Sequence, residues 1–159
     1  MLFVQKKVVS ISVLTLVCLA FLAGYGCQSA ANAPARFPFA YVQDDCGPTD
    51  GETVKFYFLR KQSECGKYEE PFVMISINEN LPSSGPQDYS IKSGQYAVLA
   101  SRCVSPGQCD AATSGTLHLT TFSPGQGATG EYELHFQNGR VERNSSDATW
   151  HVVKQLMCG

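Results

Sequence analysis

The chain has 159 residues, 12 of them Lys or Arg and 14 Asp or Glu, for a formal net charge of −2 at pH 7. Setting aside the first 26 residues, which hold Lys6 and Lys7, leaves ten basic and fourteen acidic side chains, a net charge of −4. That balance argues against nucleic acid as a partner, because phosphate binding needs clustered Lys and Arg, and against electrostatic adhesion to anionic lipid.

The N-terminus has the parts of an export signal: Lys6 and Lys7, then an uncharged apolar run over residues 8–23, then small residues. The run has 16 residues. A spanning helix needs roughly 17–25, so a cleaved signal is preferred to an uncleaved anchor. The run ends in "AGYGC", with Gly26 directly before Cys27. This resembles the lipobox of bacterial lipoproteins, which ends in a small residue and a cysteine. The resemblance covers residues 1 to about 28 and extends no further.

The resemblance implies that residues 1–26 are a lipoprotein signal peptide. The Cys27 thiol would receive a diacylglycerol, the chain would be cut after Gly26, and the new amine would be acylated. One acyl chain such as palmitate holds a protein marginally, and two or more hold it firmly, so the membrane is an expected partner through Cys27. In Gram-negative members a residue other than aspartate after the cysteine, here Gln28, favours the outer membrane, with the domain facing the periplasm or the cell surface. The competing reading is ordinary signal cleavage at "ANA" or "APA" within residues 31–35, which would discard Cys27.

Residues 27–36 read as the acylated cysteine and a flexible Ala- and Pro-rich spacer, and residues 37–159 as one β-rich domain. The domain is long enough for its own core. Its first segment, "RFPFAYVQ", alternates Phe37, Phe39 and Tyr41. "DDCGPTDGE" follows and gathers Asp44, Asp45, Asp50 and Glu52 in a turn-rich loop. Hard oxygen ligands on a loop suit calcium, although the spacing is not that of an EF-hand. The competing reading is a solvated turn pinned by a disulfide.

Strand patterns continue over residues 53–61, 71–78, 89–91 and 95–103. The last third is clearest: "GTLHLTTF" and "GEYELHFQ" flank "SPGQGAT", and Asn138-Gly139 joins the second to "RVERNSSDATWHVV". Asn-Gly between alternating segments predicts a two-residue type I′ hairpin, since both residues tolerate positive φ. About seven strands with frequent turns predict an antiparallel β-sandwich, with a small calycin-like β-barrel as the alternative.

Those two hairpins bring candidate residues together. If the loops are centred as their lengths suggest, His118 faces His135 and Glu142 faces His135 on the next strand. His118, His135 and Glu142 would then form a row on the outer sheet face, with facing Cβ atoms roughly 4.5–5.5 Å apart. Two imidazoles and a carboxylate so placed could bind zinc or act as acid and base. The competing reading is a solvated polar face, which Thr116, Thr120, Glu131 and Glu133 also fit.

Five cysteines follow Cys27: Cys46, Cys65, Cys103, Cys109 and Cys158. An exported chain meets an oxidising compartment, so disulfides are expected. With strands running alternately up and down, Cys46 and Cys158 fall at one end, and Cys65, Cys103 and Cys109 at the other. The expected pairs are Cys46–Cys158 and Cys103–Cys109, with Cys65 left over or competing for one of the latter.

No G-x-S-x-G, phosphate loop or dinucleotide fingerprint occurs, and no cofactor is implied. No catalytic residue is identified, and an enzyme is the less favoured reading. The sequence therefore points to a lipid-anchored envelope protein, a binding or structural module for an unknown ligand or envelope protein. The alternatives are a surface metal-binding protein or hydrolase, and an accessory subunit of an envelope complex docking through an exposed sheet edge.

Overall fold

A computed structural model describes residues 37–47, 51–64, 67–105 and 107–152. All of these belong to one compact unit. Cys27, the spacer before Phe37, Asp50, Cys65 and Cys158 lie outside the described residues. Among the described residues, no helix is long and apolar enough to cross a membrane.

Eight strands follow in order: β1 (Phe39–Cys46), β2 (Glu52–Leu59), β3 (Phe72–Ile77), β4 (Gln87–Lys92), β5 (Val98–Ser105), β6 (Gln108–Ser123), β7 (Gly127–Phe136) and β8 (Val141–Trp150). Seven of them close on themselves in the order β1-β2-β3-β5-β6-β7-β8, and β4 adds to β6. The 16-residue β6 serves three neighbours. Its residues 108–111 pair with β5, 114–119 with β4 and 112–123 with β7.

The expected antiparallel sandwich is therefore corrected. The strands form a closed barrel of mixed sense, because β1 and β8 pair in parallel through Ala40↔Ala148, Tyr41↔Thr149 and Val42↔Trp150. Two glycines help the sheet curl. At inward positions of β6 and β7, a Cβ on Gly115 would sit 2.3 Å from the Glu133 carbonyl oxygen. One on Gly130 would sit 2.4 Å from the His118 carbonyl oxygen. Without side chains there, the two strands fold closely around Leu134 and Leu119, their ladder partners.

The alternation read from sequence fills the interior. Val42, Phe56, Val73, Ile75, Ile77, Leu117, Leu119 and Leu134 are each no more than 2% exposed. Burying such a side chain is worth about 1.5–3 kcal/mol, so these residues dominate the favourable side of folding. A barrel of this strand number has room for little beyond its own side chains. Aromatic pairs extend the packing, with Phe58 edge-on to Tyr132 at 4.6 Å and Phe122 to Trp150 at 5.9 Å.

One patch of the outer face is covered as well. Tyr41 and Gln43 point outward from β1, yet are only 7% and 6% exposed. Tyr68, from the β2–β3 connection, and His151, after β8, lie over them. The Tyr68 hydroxyl donates to Gln43 Oε1 at 2.7 Å and meets His151 Nδ1 at 3.1 Å. The His151 ring stands 3.8 Å from that of Tyr41. Burial holds the His151 imidazole below its ordinary pKa.

Candidate functional site

The predicted row of His118, His135 and Glu142 does not form, for two reasons of register. In the β6–β7 hairpin the chain turns at Pro124-Gly125-Gln126, with Gly125 at φ 75° and Ser123 facing Gly127. A bulge between Leu119 and Thr121 shifts the register by one more residue, so His118 faces Glu131 and His135 faces Ser114. In the β7–β8 hairpin the loop holds three residues, Gln137-Asn138-Gly139, and only Gly139 has positive φ (79°). The Gly139 N–H donates to the Phe136 carbonyl at 3.0 Å, and the Phe136 N–H to the Arg140 carbonyl at 2.9 Å. A type I turn closed by a left-handed glycine thus replaces the two-residue turn. The slip of one residue sets Glu142 opposite Leu134 and turns it into the barrel.

Glu142 is 1% exposed, the least expected feature of the molecule. Its Oε1 accepts from Arg140 Nε at 2.7 Å. The same oxygen lies 2.8 Å from Nε of Arg102, itself 7% exposed, in an ion pair out of line for a hydrogen bond. Burial first, and then the neighbouring Arg140, lowers the Arg102 pKa. Burial, helped by Glu142, pushes the Tyr132 phenol up. Four buried polar atoms have no hydrogen-bond partner among the described residues: Glu142 Oε2, Arg102 Nε, the Tyr132 hydroxyl and Ser146 Oγ.

The two histidines are separately engaged on the outer face. His118 Nδ1 bonds Asp88 on β4. His135 Nε2 meets Glu133 Oε1 at 2.8 Å, and Arg143 Nε donates to Glu133 Oε2 at 2.6 Å. The Arg143 guanidinium, with a smaller contribution from His135, holds the Glu133 carboxyl below its usual pKa.

The acidic loop is also redistributed. Asp44 and Asp45 lie on β1 and Glu52 on β2, paired with Val54, Thr53 and Cys46 respectively. Asp45 accepts from Lys55 Nζ and from the Cys46 N–H, both at 2.8 Å. Burial, then the charge of Glu52, raises the Asp44 pKa. Among the described residues, no three His, Cys, Asp or Glu side chains converge as metal ligands.

Cys103 and Cys109 form a disulfide between directly facing positions of β5 and β6, with Cα atoms 4.0 Å apart. Cys46 is also disulfide-bonded, while its expected partner Cys158 lies outside the described residues.

A concavity lies beside the place where the barrel is closed least. The β1–β8 ladder begins only at Ala40↔Ala148. Continued upstream, its register would set Pro38, which has no N–H, opposite Ser146, so the ladder stops there. Beside the splayed strands, over the outer face of β6, β7 and β8, lies a groove of about 650 Å³. It is lined by Phe37 and Pro38, by Tyr132 and Asn144 from inward positions, and by Thr116, His118, Glu131, Glu133, Arg143 and Ser145 from outward ones. The Asn144 amide spans the gap and donates to the Phe37 carbonyl at 3.0 Å. Asn144, the first residue of an "NSS" sequon, is thus held in the wall of the groove. His118, a candidate from the sequence, lines this groove, whereas the approach of Phe37 and Pro38 to β8 joins the first and last parts of the barrel and leaves no mark in periodicity.

No protein-family model, no curated protein and no solved structure matches this chain.

Proposed function

We propose that the chain is an envelope lipoprotein, tethered through an acylated Cys27, whose barrel is a binding module that takes its ligand at the β1–β8 seam. One observation carries the binding reading: the interior is filled by side chains, while the seam offers a groove with polar walls. A ligand held by this fold would sit in the wall of the barrel, unlike one enclosed in an open-centred barrel. The chain enters β1 beside the same groove, at Phe37 and Pro38. An anchored module would therefore meet its ligand close to where its tether begins.

The two halves of the proposal have separate tests. Wild-type protein and a Cys27→Ser variant are partitioned between detergent and aqueous phases and weighed intact. Wild type should enter the detergent phase as a chain starting at residue 27 with acyl mass added, and the variant should stay aqueous. An unmodified wild type that starts later would overturn the anchor. For binding, fractionated envelope extract is titrated into labelled protein, and amide shifts should concentrate at Tyr132, Asn144 and Ser145. Shifts that avoid these residues, or no shifts at all, would overturn the groove.

A further inference from the structure

Among the described residues, the ladder leaves part of β8 without a neighbour on one side. All of β8 pairs with β7 from Val141 to Thr149, but on the other side only residues 148–150 meet β1. Backbone N–H and C=O groups alternate sides along a strand. The Trp150 N–H goes to Gln126 at the β7 side, at 3.2 Å, and the His151 N–H to Val42 on β1, at 2.8 Å. By that alternation the backbone groups of Arg143 and Ser145 and the Asp147 N–H point into the seam, where no described strand receives them, while the Asp147 carbonyl is taken by the Ala40↔Ala148 bridge. The edge spans five residues, about 16 Å of extended chain. A free edge of this kind is a template for another strand.

Two further observations bear on what would occupy it. Ser146, inward on β8 beside the seam, has a buried hydroxyl without a hydrogen-bond partner among the described residues. Of the charged side chains in the groove wall, Arg143 pairs with Glu133 and His118 with Asp88, whereas Glu131 has no ion-pair partner among the described residues.

We propose that the seam is a strand-addition site: an extended peptide pairs with Arg143, Ser145 and Asp147 of β8 and directs a basic side chain to Glu131. Main-chain bonds would supply affinity, and alternate side chains specificity. A residue facing inward would meet the Ser146 hydroxyl, and those facing outward the carboxylate. This deepens the binding reading above by naming the class of partner.

The test uses a random seven-residue peptide library displayed on phage and panned against the detergent-solubilised full chain. Enriched peptides are then synthesised and titrated against wild type, Ser145→Ala, Ser145→Pro and Glu131→Gln. The Ser145 N–H takes no part in the β7–β8 ladder, so proline there should leave the thermal transition and circular dichroism near wild type. Loss of that donor and obstruction of the edge should weaken binding about tenfold or more, and Ser145→Ala should bind within about twofold of wild type. Peptides rich in Lys or Arg should weaken several-fold with Glu131→Gln. Equal affinity for Ser145→Pro and wild type, or no enrichment at all, would overturn strand addition. If extract components still shift Tyr132 and Asn144 in that case, the groove stands and only its partner class falls. If Ser145→Pro does not fold, backbone exchange on wild type decides. Peptide should slow the amides of Arg143, Ser145 and Asp147 by about tenfold, and unchanged rates would overturn the proposal.

Discussion

At the scale of single residues, Glu142 sets the tone. A buried ion pair is weak evidence for stability, because desolvating two charges costs about as much as their attraction returns. Removing one member is another matter, since the survivor is then a buried uncompensated charge. Glu142→Ala should therefore lose about 3–5 kcal/mol in urea unfolding, with Arg102 left stranded. The double variant Arg102→Met with Glu142→Leu should regain most of that loss. A double variant no better than the single one would mean that the pair itself stabilises the fold. Arg140 sits at the barrel rim and can turn to solvent, so it does not share the penalty. The three unpartnered atoms beside this pair, on Glu142, Arg102 and Tyr132, mark the polar end of an otherwise apolar interior.

At the scale of strands and turns, identity was legible and register was not. Period-2 alternation in "TVKFYFLRK", "GEYELHFQ" and "GTLHLTTF" marked β2, β7 and β6, because a face against the core must be apolar. Their pairing depended on where each hairpin turns. Pro124-Gly125 carried a usable signal, proline then glycine at the two central turn positions, which sets the turn earlier than the middle of "SPGQGAT". Asn138-Gly139 signalled a turn, but could not tell a two-residue loop from a three-residue one. That single residue decides whether Glu142 meets solvent or Arg102. Gly115 and Gly130 sit where the backbone of the neighbouring strand passes close, which only the folded pairing reveals. Alanine at Gly115 would press its methyl on the Glu133 carbonyl. We expect Gly115→Ala to cost about 1–3 kcal/mol by overpacking, measured as a lowered thermal midpoint. An unchanged midpoint would show that β6 and β7 can part at no cost, against the role given to this contact.

At the scale of the whole molecule, closure determines where recognition can happen. The all-β class and the filled interior follow from the apolar alternation, but closure needs β1 and β8 to meet across nearly the full length of the domain. No local pattern encodes a pairing so remote in sequence. The barrel is correspondingly uneven, with ten pairs between β6 and β7 and only three between β1 and β8. The short seam leaves a groove and, among the described residues, a free strand edge in one place, beside the point where the chain enters the barrel. Native-state hydrogen exchange on the full chain, read amide by amide along β8, probes that edge without any ligand. The amides of Glu142, Asn144 and Ser146, bonded to β7, should exchange slowly, and those of Arg143, Ser145 and Asp147 about tenfold or more faster. Uniform protection from residue 142 to residue 147 would contradict the free edge, and with it the place assigned to binding.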